Sequence, residues 1–523
     1  MTAAPRPARA IRVGRRSYPV VLPTVRDPRL HLASVIITIH ILGITTLAFQ
    51  VTVPQILSAI LTCAVIEVAI TLRRTGTLVW PASAMLTGSG VALIFRVLGT
   101  ERGDPWSWYG WWLFAAVAGF SLATKYVIRH RGSHVFNPSN IGLVVAFLVL
   151  GSERVAPLDF WWAPLDLWMG LAFAVILIGG LLITARLRLL AMAAAFWLAL
   201  AAGLGLLAAS GHCITAAWSL QPVCGSHFWW VVVTSPEVLI FLFFMITDPK
   251  TIPASTPARI AFAACIALAA TLLIAPQTTE FGAKVGLLAG LAVMSPLRGL
   301  FDRALGRTDA AGLMMRVTMI GRRQAQPHRL FARGTAIGAM TVVVVVGIVA
   351  AGAPAREPER PAPHAEAAQI DVSVDPSSLP EVTVGADALA LHGAVAAEPE
   401  VVAVALAEAL LVEGEAMLRA EPSLLRSVDA GARLDEMETR IAEAVAGGDR
   451  VVAVHTFDTL HLDVAFTQGS QGGASLAIEA RGEVVEVTYD SRGVEHARET
   501  GPFDTTFVMS QAAEGSWLLV ATQ

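Results

Sequence analysis

Three short segments carry polar side chains and prolines where the neighbouring chain is apolar: SAMLTGSGVALIF (83–95), KYVIRHRGSHVFNPSNIGLVV (125–145) and FFMITDPKTIPAS (243–255). In the second and third, a small polar residue precedes a proline and then an apolar run. Asn137 before Pro138, and Asp248 before Pro249, each read as an N-cap with proline at the first helical position. A helix start set into an apolar body points backbone N–H groups and a positive dipole end at one spot, and that chemistry holds a phosphate or carboxylate. Asn137, Pro138 and Asn140 at one corner, and Thr247, Asp248 and Pro249 at the other, are therefore the candidate ligand contacts. The charge of Asp248 opposes an anion unless Lys250 or a metal offsets it. Two glutamates stand inside apolar runs, where an ionisable group is expensive. Glu67 is one. Glu237, after Pro236, is the preferred contact for a proton, cation or substrate. Arg96 and Lys125 lie near the ends of such runs and read as snorkelling cations.

These residues need an apolar scaffold, and the composition supplies one. The 523 residues are 55% hydrophobic and 15% charged, against about 25% charged in soluble domains. Stretches long enough to cross a hydrocarbon core are read at 32–50, 54–72, 79–98, 110–127, 138–151, 166–184, 188–209, 228–246, 258–275, 281–297 and 335–352. The expected architecture is an all-α polytopic membrane protein of about eleven transmembrane helices, followed by a C-terminal α+β domain. No cleavable signal peptide is expected, because a polar, arginine-rich segment precedes the first apolar run.

Charge sets the expected orientation. Seven arginines precede the first span and eight lie between the tenth and eleventh, while the alternate loops hold tryptophans such as Trp106, Trp108, Trp161 and Trp162. Positive loops face the cytoplasm and aromatic residues mark the interface. The N-terminus (1–30) and the 301–334 loop are thus expected in the cytoplasm of a multi-pass plasma-membrane protein. An odd number of spans places the tail outside. That tail is acidic, with 27 acidic and 8 basic residues over 361–523. Cys213 and Cys224 share an outer loop, where a disulfide suits an oxidising exterior.

Residues 353–384 read as an extended Pro/Ala/Glu linker. The domain at 385–523 reads as helices over 386–419 and 422–447, then strands with turns at Arg481-Gly482 and Glu514-Gly515. This order resembles the NTF2-like cone. His455 and His461, six apart on one strand-like run, are expected on the same face. No metal cluster, nucleophile motif or cysteine set for an iron–sulfur centre is present, and His40 alone lies well inside a span, so paired haem ligands are lacking.

SAMLTG, the K-x-n-G-x-x-x-FNP block and FFMxTDP, in that order, resemble the RnfD/NqrB family. Its members are membrane components of Rnf-type electron-transport complexes and of the related sodium-pumping NADH:quinone reductase. FNPSNIGLVVAFLVLGSERV and TSPEVLIFLFFMITDPKTIPA are more similar still to the RnfD-like membrane proteins encoded in actinomycete enediyne antibiotic clusters. The resemblance implies two inverted five-helix repeats, about 32–151 and 166–297 within a 31–300 membrane domain, plus an eleventh helix at 335–352. It also implies membrane electron transport through flavin, as a non-catalytic component of a larger complex. The family's flavin-bearing threonine motif after FNP is missing, and Ser121-Leu122-Ala123-Thr124 precedes FNP instead. Covalent FMN is not expected; noncovalent FMN or riboflavin is the remaining cofactor. The lipid bilayer, redox-complex subunits, or an outer protein bound through 385–523 are the expected partners, and nucleic acid is not one. Two alternatives stay open: a non-redox transporter, export or tolerance factor that kept the fold, and a membrane scaffold.

Overall fold

A computed structural model describes residues 9–13, 16–47, 49–100, 104–130, 132–158, 166–216, 218–305, 339, 342–356, 372–389, 399–465, 475–490, 492–512 and 515–522. Most of the 301–334 loop, half of the linker, and Arg131, Trp161 and Trp162 lie outside the described residues. The chain divides into two compact units. One comprises 1–213 with 224–356, the other 357–523 with the segment 214–223.

The first unit is a helix bundle of α1 (Pro28–Thr45), α2 (Val53–Thr75), α3 (Ala82–Ile94), α4 (Trp111–Val127), α5 (Pro138–Leu150), α6 (Leu167–Arg186), α7 (Leu190–Ala209), α8 (Gly225–Thr234), α9 (Pro236–Ile240), a π-helix (Phe241–Met245), α10 (Thr256–Ile274), α11 (Glu280–Met294) and α12 (Arg298–Leu305). Among the described residues seven helical stretches are long and apolar enough to cross a membrane, two of them, Gly225–Met245 and Glu280–Leu305, made of consecutive shorter helices, with shorter apolar helices at Ala82–Ile94, Pro138–Leu150 and Val342–Ala351. Only 28% of α1 and 22% of α2 is buried inside the protein. Apolar residues such as Ile37, Ile41, Leu61 and Val65 face outward. Such surfaces suit lipid rather than water, as in a membrane protein.

The packing repeats. α2 lies on α3 and α4, and α4 on α5; α7 lies on α8 and α10, and α10 on α11. α1 meets α6, and α5 meets α11. The polar run in α3 is explained by such contacts. A Cβ on Gly88 would stand 2.4 Å from the Ala59 carbonyl oxygen, so only glycine lets α2 and α3 approach this closely. Ser89 lies 3.2 Å from Nε2 of the buried His40.

Prolines punctuate the bundle differently from expectation. Asn137 does cap α5, accepting from the Asn140 N–H at 3.3 Å, with Pro138 at the first helical position. Asp248 caps no helix. Its Oδ1 accepts from the Lys250 N–H at 3.0 Å and its carbonyl from the Thr251 N–H at 3.0 Å, which makes a turn. A helix begun at Pro249 would carry Pro253 in its second turn, where the missing N–H and ring clash cost about 3 kcal/mol. The next helix, α10, starts instead at Thr256, capped by Ser255. Pro236 opens α9. Ser235 Oγ accepts from the Val238 N–H at 3.1 Å, and α8 and α9 are separate helices.

α3 and α5 each have 13 residues, or roughly 20 Å of rise. Both run into one antiparallel ribbon, Phe95–Val97 with Val155–Pro157. Arg96 sits there 8% exposed, donating to Gln50 Oε1 at 2.6 Å; it is a buried ribbon residue and not a snorkelling one. In the N-terminal segment Arg9–Val13 pairs antiparallel with Arg16–Val21, which pairs in parallel with Leu78–Val79. Cys213 and Cys224 are joined in a disulfide.

The second unit contains a five-stranded sheet over Val382–Val384, Arg450–Ala465, Ser475–Tyr489, Glu495–Gln511 and Trp517–Thr522, in that order. Val402, Leu406 and Leu410 of the helix Pro399–Arg419 bury against Leu460, Leu462, Ile478 and Phe507. Three expectations fail here. Val382–Val384, placed in the linker, is a strand parallel to 460–462. The expected helix over 422–447 is a 3-10 turn then Gly431–Gly447, whereas the described parts of that over 386–419, Ala386–Leu389 and Pro399–Arg419, are helical. Arg481-Gly482 lies within a continuous strand, opposite a bulge between Phe457 and Thr459. A Cβ at 482 would meet the Thr456 carbonyl oxygen at 1.9 Å, so the glycine admits the bulge rather than a turn. The Gly515 turn does join two strands, with φ +96°.

Candidate functional site

The first and third polar segments, together with the Asn137 corner, meet at one cavity of about 530 Å³. α3 contributes Ser83, Thr87 and Gly90, the Asn137 corner contributes His134, Asn137, Pro138 and Ser139, and the Asp248 turn contributes Thr247 to Lys250. Apolar walls come from α1, α6 and the π-helix, with Phe243 and Phe244 prominent. Residues more than 110 positions apart in the chain thus share a wall because the start of α5 lies beside the end of the π-helix.

Hydrogen bonds fix that junction. Asn137 Oδ1 also accepts from Ser139 Oγ at 2.9 Å, and its Nδ2 donates to the Met245 carbonyl at 3.1 Å. A π-helix leaves its carbonyls out of the α-helical register, and Asn137 takes up one of them. His134 Nε2 lies 3.3 Å from Asp248 Oδ2. Ser133 Oγ and Arg298 Nη1 both donate to the Lys250 carbonyl, at 3.1 and 2.5 Å. Thr247 Oγ1 donates to the Phe243 carbonyl at 2.5 Å. Asn140 does not line the cavity; its Nδ2 donates to the Leu288 carbonyl at 3.0 Å, tying α5 to α11.

The intramembrane charges are paired. Glu67 is bound by Lys125 Nζ, 3.1 Å from both carboxylate oxygens, and by the Tyr126 hydroxyl. Lys125 therefore does not snorkel. Its side chain is 13% exposed and lines the cavity. Glu237 meets Lys284 Nζ at 3.1 Å, and Lys284 also meets Glu280 at 2.5 Å and donates to the Leu158 carbonyl at 3.2 Å. Lys284 and Glu280 were missed in the sequence, although a Glu-x-x-x-Lys spacing opening an apolar run puts both on one helix face. A second cavity of about 30 Å³, room for about one water, is lined by Glu237 and Lys284 and shares Leu93, Ile94 and Ile240 with the large one.

The remaining candidates lie elsewhere. Thr124 is buried, donates to the Ser121 carbonyl at 2.6 Å, and does not line the cavity. His455 and His461 fall on opposite faces, because the bulge between them reverses the strand's alternation. His455 packs on Phe503 and Phe507, whereas His461 Nδ1 faces Thr383 Oγ1 at 2.9 Å. Among the described residues no group of three or more metal-ligating side chains occurs. Neither a scan against protein-family models nor a search of curated proteins returns a match.

Proposed function

We propose that this protein is an integral membrane component of an RnfD-like electron-transport system, holding a flavin noncovalently in the cavity between the Asn137 and Asp248 corners. The observation that carries this reading is the convergence of three separated polar motifs on one cavity. Its volume lies in the range of about 300–1,000 Å³ typical of small-molecule sites. The residues fit the group: Phe243, Phe244 and the aliphatic wall suit a flat ring system, and Lys125 and Lys250 suit a phosphate or ribityl tail. A bound flavin would supply one- and two-electron transfer. The protein's own part is to exclude water and orient the ring. The buried, internally bonded Thr124 hydroxyl gives no support to covalent attachment.

In this reading about eleven helices cross the plasma membrane, in two inverted five-helix repeats and one extra span. The paired packing of α2–α5 and α7–α11 supports the repeats. The N-terminus lies in the cytoplasm and the NTF2-like domain outside, where it recruits redox subunits or another protein. Electron delivery would serve natural-product biosynthesis or extracytoplasmic redox chemistry. The absorbance spectrum of the purified protein, before and after acid precipitation, tests the cofactor. Flavin bands that leave with the supernatant support it. Their absence from protein purified with added FMN or riboflavin refutes it.

A second reading, a non-redox transporter, is favoured by the Glu237–Lys284–Glu280 cluster and its small cavity. It predicts ligand flux in proteoliposomes without bound flavin.

A further inference from the structure

We infer that His134 sets the charge of the large cavity, so that the cavity takes a ligand bearing an anionic group when the imidazole is protonated and holds it weakly when it is not. This rests on the ligand-binding reading above and adds the chemical class and its control. Among the described residues lining the cavity the charges are Asp27, Arg29, Lys125, Asp248 and Lys250. Arg29 is paired with Asp27 at 2.5 Å and Lys125 with Glu67 at 3.1 Å. Asp248 and Lys250 offset one another on the same turn. The wall is then neutral with neutral His134 and carries one net positive charge when His134 is protonated.

His134 suits this role by position. It is 8% exposed, lines the cavity, and meets Asp248, whose side chain is 22% exposed. Asp248 is locked in place by its bond to the Lys250 N–H. Protonation satisfies Asp248 and leaves the Lys250 ammonium available to a ligand anion. Deprotonation leaves Asp248 as a bare negative charge on the same cavity wall, where it opposes a ligand anion. Arg129 and His130, on the strand paired with Ser133–His134, are exposed. Arg298 is engaged at the Lys250 carbonyl. Histidine is the side chain whose charge ordinarily changes between about pH 5 and 8. A unit charge in a partly buried wall changes anion affinity by roughly an order of magnitude.

FMN and riboflavin share a ring and differ by a phosphate, so they separate ring binding from charge reading. Their fluorescence quenching is titrated on the intact protein in phosphatidylcholine nanodiscs at pH 6 and pH 8. FMN is expected to bind roughly tenfold more tightly at pH 6, with riboflavin unchanged. The phosphate itself gains charge towards pH 8, which acts in the opposite direction and cannot imitate this result. His134→Gln should abolish the tightening at pH 6. Asp248→Asn, which keeps the turn acceptor and removes the negative charge, should give tight FMN binding at both pH values, a gain that misfolding cannot produce. Equal binding of FMN and riboflavin at both pH values overturns the inference and leaves the flavin reading standing. So does a wild-type profile in His134→Gln. Binding of neither ligand overturns both.

Discussion

Asn137 donates from Nδ2 to the carbonyl oxygen of Met245 at 3.1 Å while its Oδ1 caps α5. One amide thereby closes a helix start and binds the end of a π-helix more than 100 residues later. The two corners are held as one structure, and the cavity they border depends on both.

Asn137→Ala removes a cap worth about 1 kcal/mol and leaves a buried carbonyl without its donor, a further ~1–3 kcal/mol. Asn137→Ser keeps a neutral cap acceptor and loses the amide donor that reaches Met245. Thermal unfolding in detergent should rank wild type above Asn137→Ser and Asn137→Ser above Asn137→Ala. Ligand affinity should fall in both variants, because the Met245 end of the π-helix is released.

Lys284→Ala leaves Glu237 and Glu280 without the ammonium that joins them. Breaking a buried ion pair from one side costs about 3–5 kcal/mol. The variant is expected to express poorly or to melt well below wild type by scanning fluorimetry. Glu237→Gln, which keeps shape and one hydrogen-bond acceptor, should melt closer to wild type. Equal melting temperatures for Lys284→Ala and wild type would remove the cluster from any structural account.

Cys213 and Cys224, 11 residues apart, close a short loop, and such a bond typically contributes about 2–4 kcal/mol. Peptide mapping without reductant should recover the two cysteines linked. Adding reductant, or Cys213→Ser, should lower the melting temperature of the intact protein by several degrees.

Asp429 lies 2% exposed in the second unit, against the Glu413 and Arg433 side chains. Glu413 and Arg433 beside it form a two-pronged pair at 2.6 and 2.7 Å. Burial, and then the Glu413 charge, push the Asp429 carboxyl up to about 9, with Arg433 pulling the other way. A group raised in the folded state binds its proton more tightly there than when unfolded. Its contribution is therefore complete below the ordinary carboxylate range, near pH 4, and is lost as pH rises towards 9. Proteolysis of the tail in the intact protein should accelerate over that window, and Asp429→Asn should flatten the profile.

The arginine-rich loops and the opposing tryptophans predict a cytoplasmic N-terminus and an external tail. Protease added to intact cells should remove residues beyond about 355. Cleavage that occurs only after lysis would reverse the orientation.

The sequence by itself located most of the long apolar helices of the first unit, because an apolar run of span length has few other stable forms. It also picked out FNP, TDP and SAMLTG, since polarity and proline inside apolar chain need a local reason. Asn137–Pro138 was legible as a cap because the next residues permit a helix. Asp248–Pro249 was misread because Pro253, four residues on, decides against one. Tertiary structure alone decided which polar residues meet. Lys125 pairs with Glu67, His134 with Asp248, and Lys284 with Glu237, and each partnership crosses between elements whose approach no local pattern encodes. Arg481-Gly482 shows the same limit in the sheet. A glycine reads equally as a turn or as a close approach, and only the bulge on the neighbouring strand distinguishes them.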